Sequence, residues 1–289
     1  MELISVKDLE QASSIFQGKT GNAFARAILK LCAVDKINTL YTNNEQFTGG
    51  EFASHILEDI KVDYRIGNVQ RLDSLPEGSF ITISNHPYGS IDGVIIVDLF
   101  SRLYPEFKVL VNKFLARIEA LGSNFITVTP TGEEKTAATQ ESILGIKRSF
   151  AQIKAGRPLG LFPSGAVSDM SLKEGCIRDR EWQDGIIKFI KKAKVPILPV
   201  RFFDRNSLFF YNLGLIDWKI RLLRLPREVF NKANKNVRLG LGKLISVEEQ
   251  NRITDMTQFK QYLRSSVYDM AMPDKFIHQS EYFKLEFNL

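Results

Sequence analysis

The sequence predicts an α/β fold: a largely parallel mixed sheet flanked by helices, with a helical extension over residues 1–65 ahead of an α/β unit over 66–289. Two observations carry this. From Arg71 onward, short β-rich runs alternate with stretches of helical length, the pattern of parallel strands joined by crossover helices. Before that, residues 5–62 read as helical, as in Asn22–Leu31 and Glu51–Asp63. At 289 residues the chain is long enough to bury a substantial core. No internal repeat and no Gly/Ser/Pro-rich linker divides it.

Within the α/β unit, Ser79–Ser84 alternates and is β-rich, so it reads as a buried strand. Pro87 ends it, because proline has no N–H for the ladder and holds the preceding residue extended. Ile91–Phe100 follows as a helix that starts near Ser90. Lys108–Val111 and Asn124–Val128 are the next strands, with a short helix between them, and Thr129–Thr136 is a surface loop. A long helix over 137–155 leads to the strand Pro158–Phe162, and the helix Asp184–Lys194 leads to the strand Val195–Phe203. The tail holds a basic, apolar segment from Ile216 to Phe230, a strand near Val237–Leu241 and an amphipathic helix from Met256 to Met270.

Composition excludes several classes. With 44% apolar and 25% charged residues, the chain is not collagenous, coiled-coil or extensively disordered. Cys32 and Cys176 lack a paired spacing, so neither a disulfide framework nor a metal site is indicated and a reducing compartment fits. Met1–Glu10 lacks the basic and apolar regions of an export signal. The longest apolar runs, such as Gly93–Phe100 and Val195–Phe203, end well short of the ~20 residues a spanning helix needs. The expectation is a cytoplasmic protein, peripheral on the inner face of the cell membrane. The net charge of +6 is uneven: residues 173–238 carry 16 Lys and Arg against 7 Asp and Glu, an excess of +9, and the remainder sums to −3. Such asymmetry suits an anionic partner: lipid headgroups, nucleic acid or an acidic carrier protein. A solvated basic surface is common enough that charge alone decides nothing. Nucleic acid is not expected, because the aromatics sit in apolar runs rather than in a stacking platform.

The chemistry concentrates in Asn85-His-Pro-Tyr-Gly-Ser-Ile-Asp-Gly93, which sets one of three histidines beside a carboxylate at the mouth of an apolar run. The strand delivers His86 to its C-terminal end, and Asp92 falls in the first turn of the next helix, where the helix dipole favours an ionised carboxylate. A neutral imidazole held by a carboxylate can take a proton from an attacking hydroxyl or amine, with no serine or cysteine nucleophile. A satisfied histidine beside a helix-capping acid is the bland alternative. The combination of strand, His-Pro, glycine turn and helix-start aspartate favours chemistry.

A second turn, Gly160-Leu-Phe-Pro-Ser-Gly-Ala-Val-Ser168, repeats the logic, and in a parallel sheet both turns can open on the same edge. Alone it is equally a tight connection without a ligand. The candidate substrate-binding residues are Asn85, Gly89 and Ser90 in the first turn, Phe162, Pro163, Ser164, Gly165 and Ser168 in the second, and Arg178 and Arg180 beyond it. Those arginines can reach an anionic headgroup or carrier phosphate, or simply belong to a charged loop. Ser164 is a poor hydrolase nucleophile, since Phe162 and Ala166 stand where the nucleophile elbow has glycines. Gly18-Lys19-Thr20 is not a phosphate loop, since the first glycine of that pattern falls at Ser13. Between Trp218 and Arg227, arginines three apart lie beside Trp218, Leu222 and Leu225. That surface either rests on a bilayer or packs on the core.

At these two turns the chain resembles the glycerolipid and lysophospholipid acyltransferases, through Asn85-His86…Asp92 and Phe162-Pro-Ser-Gly-Ala-Val-Ser168, with Val195-Pro-Ile-Leu-Pro-Val200 as a later shared strand. The likeness runs over roughly residues 70–245. Five residues separate His86 from Asp92 where the family usually has four, a form similar to the hemolysin-like branch that includes enzymes acylating amino-acid-derived lipids. Phe203–Tyr211 also looks like that branch. Ser164 and Val167 stand where the family usually has a Glu and an Arg for an acceptor phosphate, which counts against a glycerol-3-phosphate-type acceptor. The resemblance implies acyl transfer from an acyl-thioester, on acyl carrier protein or coenzyme A, to the hydroxyl or amine of a lyso-lipid or amino-acid lipid precursor, with no further cofactor. It implies that His86 deprotonates the acceptor, that Asp92 orients His86, and that backbone N–H groups near Gly165 hold the oxyanion. A lipid or thioester hydrolase using the same pair, and a non-catalytic lipid-binding scaffold, are the competing readings.

Overall fold

The computed structural model describes residues 3, 5–12, 14–129, 139–173 and 175–287; beyond Thr129, the loop expected at Thr129–Thr136 lies outside them. The chain opens with the helices α1 (Val6–Ala12), α2 (Gly18–Leu31), α3 (Val34–Asn44) and α4 (Gly49–Asp59). There follow β1 (Arg65–Gly67), β2 (Ile81–Ser84), α5 (Ile91–Leu103), β3 (Lys108–Asn112), β4 (Phe125–Val128), α6 (Gln140–Lys154) and β5 (Leu159–Leu161). A small ribbon, β6 (Asp169–Ser171) and β7 (Cys176–Arg178), precedes α7 (Asp184–Ala193) and β8 (Ile197–Phe202). The remainder is α8 (Leu208–Ile216), α9 (Trp218–Leu223), α10 (Leu225–Phe230), β9 (Arg238–Leu241), α11 (Val247–Arg252), α12 (Met256–Tyr268), β10 (Phe276–His278) and α13 (Gln279–Phe287).

Eight strands form one sheet in the order β10-β1-β9-β8-β2-β5-β3-β4. β8, β2, β5, β3 and β4 are parallel; β9 runs antiparallel to β8, β1 parallel to β9, and β10 antiparallel to β1. The sheet is thus the largely parallel mixed sheet the sequence predicts. Both faces are covered, which is why the central strands are almost wholly apolar. The two-residue period sorts their side chains: Leu198 and Val200 meet α3, α4 and α5 on one face, whereas Ile197, Ile81 and Ile83 meet α6, α7 and α12 on the other. α4 is further tied to α5 by the buried Asp98, which accepts hydrogen bonds from Ser54 Oγ, from Tyr64 Oη at 2.8 Å and from Arg102 Nε at 3.0 Å. Ile216–Phe230, read as a single segment, is divided among the end of α8, α9 and α10. Among the described residues no helix is long and apolar enough to cross a membrane.

Candidate active site

β2 stops at Ser84, and Asn85 fixes the turn that follows. Its Nδ2 donates to Phe202 O at 2.9 Å while its Oδ1 accepts from Phe202 N at 2.8 Å, clamping the turn to the neighbouring β8. Both ends of the buried amide are engaged, so Asn85 contributes position rather than a free group for substrate. At Gly89 the backbone has φ +72°, and a Cβ would come within 2.9 Å of Val167, so the position needs glycine both for its conformation and for the approach of the two turns. Ser90 precedes α5 without capping it through its side chain, and Asp92 lies buried in the first turn of α5.

Asp92 Oδ2 accepts from Tyr88 N at 3.0 Å and Gly89 N at 3.2 Å and stands 2.8 Å from His86 Nδ1. The backbone amides fix the carboxylate and the carboxylate faces the ring. The Nδ1 contact is close in distance but off the line of a linear hydrogen bond, so it acts more through charge than through direction. Burial works to lower the pKa of His86, but the charges of Asp92 and Asp179 outweigh it and hold the imidazole above its ordinary value. Phe162 lies against the ring at 4.2 Å between centroids. The side chain keeps 18% exposure, and since Nδ1 is fully buried, that exposure falls on the rest of the ring.

β5 runs beside β2 in parallel register, so the second turn opens on the same edge of the sheet as the first. At Gly165 φ is +65° and a Cβ would collide with the Gln183 side-chain amide. Of the backbone N–H groups near Gly165 expected to face an oxyanion, that of Gly165 itself donates to Phe162 O at 2.9 Å and closes the turn. Ser168 N likewise donates to His86 O at 2.9 Å. Among the described residues, Ser164 N–H and Val167 N–H find no acceptor within the protein. Pro163 O accepts from Gln183 N at 2.9 Å, and the buried Ser164 hydroxyl donates to Ala166 O at 2.8 Å, turned into its own loop.

Ser168 Oγ donates to Asp179 Oδ1 at 2.6 Å, and the same oxygen accepts from His86 N at 3.1 Å, so one buried carboxylate joins both turns. Burial pushes its own pKa up, against the hydrogen bonds it receives. Sequence reasoning missed Asp179, which stood unremarked between Arg178 and Arg180. Arg221, read from the sequence as one of the arginines of an amphipathic surface, is instead buried against Ser168 O and Asp169. Arg178 and Arg180 are themselves engaged, Arg178 over the Tyr268 ring at 4.6 Å and Arg180 with Asp169. Among the described residues no group of three or more His, Cys, Asp or Glu is arranged to hold a metal ion.

The family described as Acyltransferase matches residues 9–273. The chain belongs to the acyltransferase family. This acyltransferase is 29% identical over 251 residues to a lyso-glycine lipid O-acyltransferase of Bacteroides thetaiotaomicron, covering 83% of this chain and 87% of that protein. It is 26% identical over 246 residues to one of Phocaeicola vulgatus, covering 82% and 83%. Among solved structures it matches a 1-acyl-sn-glycerophosphate acyltransferase of Thermotoga maritima at TM-score 0.45 and 13% identity, over 75% of this chain and 79% of that one.

Proposed function

We propose that this acyltransferase moves a fatty acyl group from an acyl-thioester, on acyl carrier protein or coenzyme A, to the hydroxyl of a lyso-lipid of the lyso-glycine-lipid type, at the inner face of the cell membrane. The observation that carries the mechanism is the His86–Asp92 contact of 2.8 Å, made at the sheet edge where two glycine turns meet. The relatives named as O-acyltransferases favour a hydroxyl over an amine as acceptor.

The acceptor O–H attacks the thioester carbonyl while its proton passes to the exposed side of His86, and the negative charge of Asp92 stabilises the imidazolium as it forms. The oxyanion of the tetrahedral intermediate falls to backbone amides; those of Ser164 and Val167 are the donors not engaged elsewhere in the turn. Collapse expels the carrier thiolate, which takes the proton back from His86. No acyl-enzyme is needed, in keeping with the Ser164 hydroxyl being bonded into its own turn.

The test is to incubate the protein and its His86→Ala variant with labelled acyl carrier protein and coenzyme A thioesters and a panel of lyso-glycine lipids and lysophospholipids, resolving products by mass. A diacylated product made at least a thousandfold faster by the wild type is expected. Free fatty acid without adduct would make the protein a hydrolase, and no His86-dependent product would leave a lipid-binding scaffold.

A further inference from the structure

Between β8 and β9 the chain leaves the sheet, and this excursion, α8 to α10, is buried on one side only. Phe210 and Tyr211 are fully buried, whereas Ile216 is 77% and Trp218 52% exposed, with Phe209 and Leu223 also open to solvent. α8 contains no charged residue. A helix apolar on all sides belongs in a core or in lipid, and a contiguous exposed apolar patch marks an interaction surface. The sequence around it is basic: from Arg205 to Arg227 there are five Lys and Arg, of which Arg221 turns inward to Asp169, against Asp217 alone. α2 continues the surface. It carries Lys19, Arg26 and Lys30 with no acid, exposes Phe24 and Leu31, and meets α10 where Arg227 Nη1 donates to Leu31 O at 3.1 Å.

Charge decides between occupants. A second copy would set like charges face to face across a two-fold axis. An anionic bilayer offers hydrocarbon to Ile216 and Trp218 and phosphates to the bases around them. The excursion is also fastened to both turns of the site: Tyr211 Oη donates to Pro87 O at 2.7 Å, Asn206 Nδ2 to Tyr88 O at 3.0 Å and Arg221 Nη1 to Ser168 O at 3.2 Å.

We propose that α8 and α9, continued by α2, form the surface through which this protein enters an anionic bilayer, and that their attachment to both turns holds His86 level with the lipid headgroups. The acceptor then reaches the site from the membrane rather than from water. The second clause rests on the lyso-lipid reading above; the docking surface does not.

The two tryptophans make the test direct, since Trp182 is 1% exposed and Trp218 is 52% exposed. Vesicles of brominated phosphatidylcholine with phosphatidylglycerol should quench and blue-shift wild-type fluorescence, and vesicles without the anionic lipid should do so far less. The double variant Ile216→Asp, Leu223→Asp should lose the quenching. Its rate on vesicle-borne lyso-lipid should fall at least tenfold, while its rate on a short-chain monomeric acceptor, which also reports an intact fold, should change less than twofold. Unchanged quenching and vesicle rate in the variant would overturn the proposal, as would a wild-type dimer in solution that the variant dissolves. If the wild type acylates no lyso-lipid in any format, the functional reading fails while quenching still decides the docking surface.

Discussion

Asp179 is the side chain in which position and charge can be separated. Its Oδ1 binds His86 N and Ser168 Oγ, and its charge joins that of Asp92 in raising the pKa of His86. In the proposed mechanism His86 acts as the base and works deprotonated, so activity is expected to fall as pH drops through its pKa, with the acid limb of kcat/KM above the ordinary histidine value of about 6.5. Asp179→Asn keeps an oxygen for the two donors and removes the charge. Its neutral imidazole is then easier to form, and the acid limb should move to lower pH; a limb that stays in place would mean that Asp179 acts through geometry alone. His86 and Asp92 were legible in the sequence because chain-local grammar, a strand end, proline, glycine and a helix start, places them. Asp179 was not, because an acid 93 residues from His86 looks like any other in a charged loop.

Among the elements, α10 depends on a buried charge. Glu228 accepts from Ser207 N at 3.0 Å and Ser207 Oγ at 2.7 Å, and Lys232 Nζ lies 3.3 Å away, so one carboxylate ties the start of α8 to α10. Burial acts to raise the Glu228 pKa, but Ser207 and Lys232 bring it below the usual range. Burial pushes Lys232 below its own usual value despite the partner. The stability from Glu228 is present above its unfolded pKa and is lost as pH falls through the lowered folded one. Glu228→Ala leaves Lys232 buried and unpaired and should cost about 3–5 kcal/mol in denaturant unfolding, with Glu228→Gln intermediate; an unchanged midpoint would refute the anchoring role. None of this could be read from Ile216–Phe230, where leucines and arginines mix at helical spacing without showing which of them is buried. The three-residue β1 and β10 were missed for a related reason, being too short for a two-residue period to register, whereas α5, α6 and α12 were found because they are long and periodic.

Across the whole molecule, the N-terminal helices share the core of the sheet. Leu40, Phe52, Ile56 and Leu57 are buried in one cluster with Ile95, Leu99 and Phe100 of α5. Each such side chain contributes roughly 1.5–3 kcal/mol. Removing four amounts to roughly 6–12 kcal/mol, the scale of a whole domain's stability. A chain starting at residue 63 should therefore fail to give a cooperative thermal unfolding transition by circular dichroism, and a sharp transition near the full-length Tm would show that the α/β unit stands alone.

What the sequence determined by itself was the α/β class, the alternation from Arg71 onward and the two turns that carry His86, Asp92 and the second glycine motif. All of these are written in neighbours a few residues apart. Tertiary packing alone shows that Asn85 is engaged with Phe202, that Gly165 N–H closes its own turn, that Asp179, Tyr211 and Arg221 fasten the turns, and that Phe209, Ile216, Trp218 and Leu223 face outward while Phe210 and Tyr211 are buried. Burial and hydrogen-bond partnership there depend on which distant segments the sheet order brings together, and local periodicity carries no record of that order.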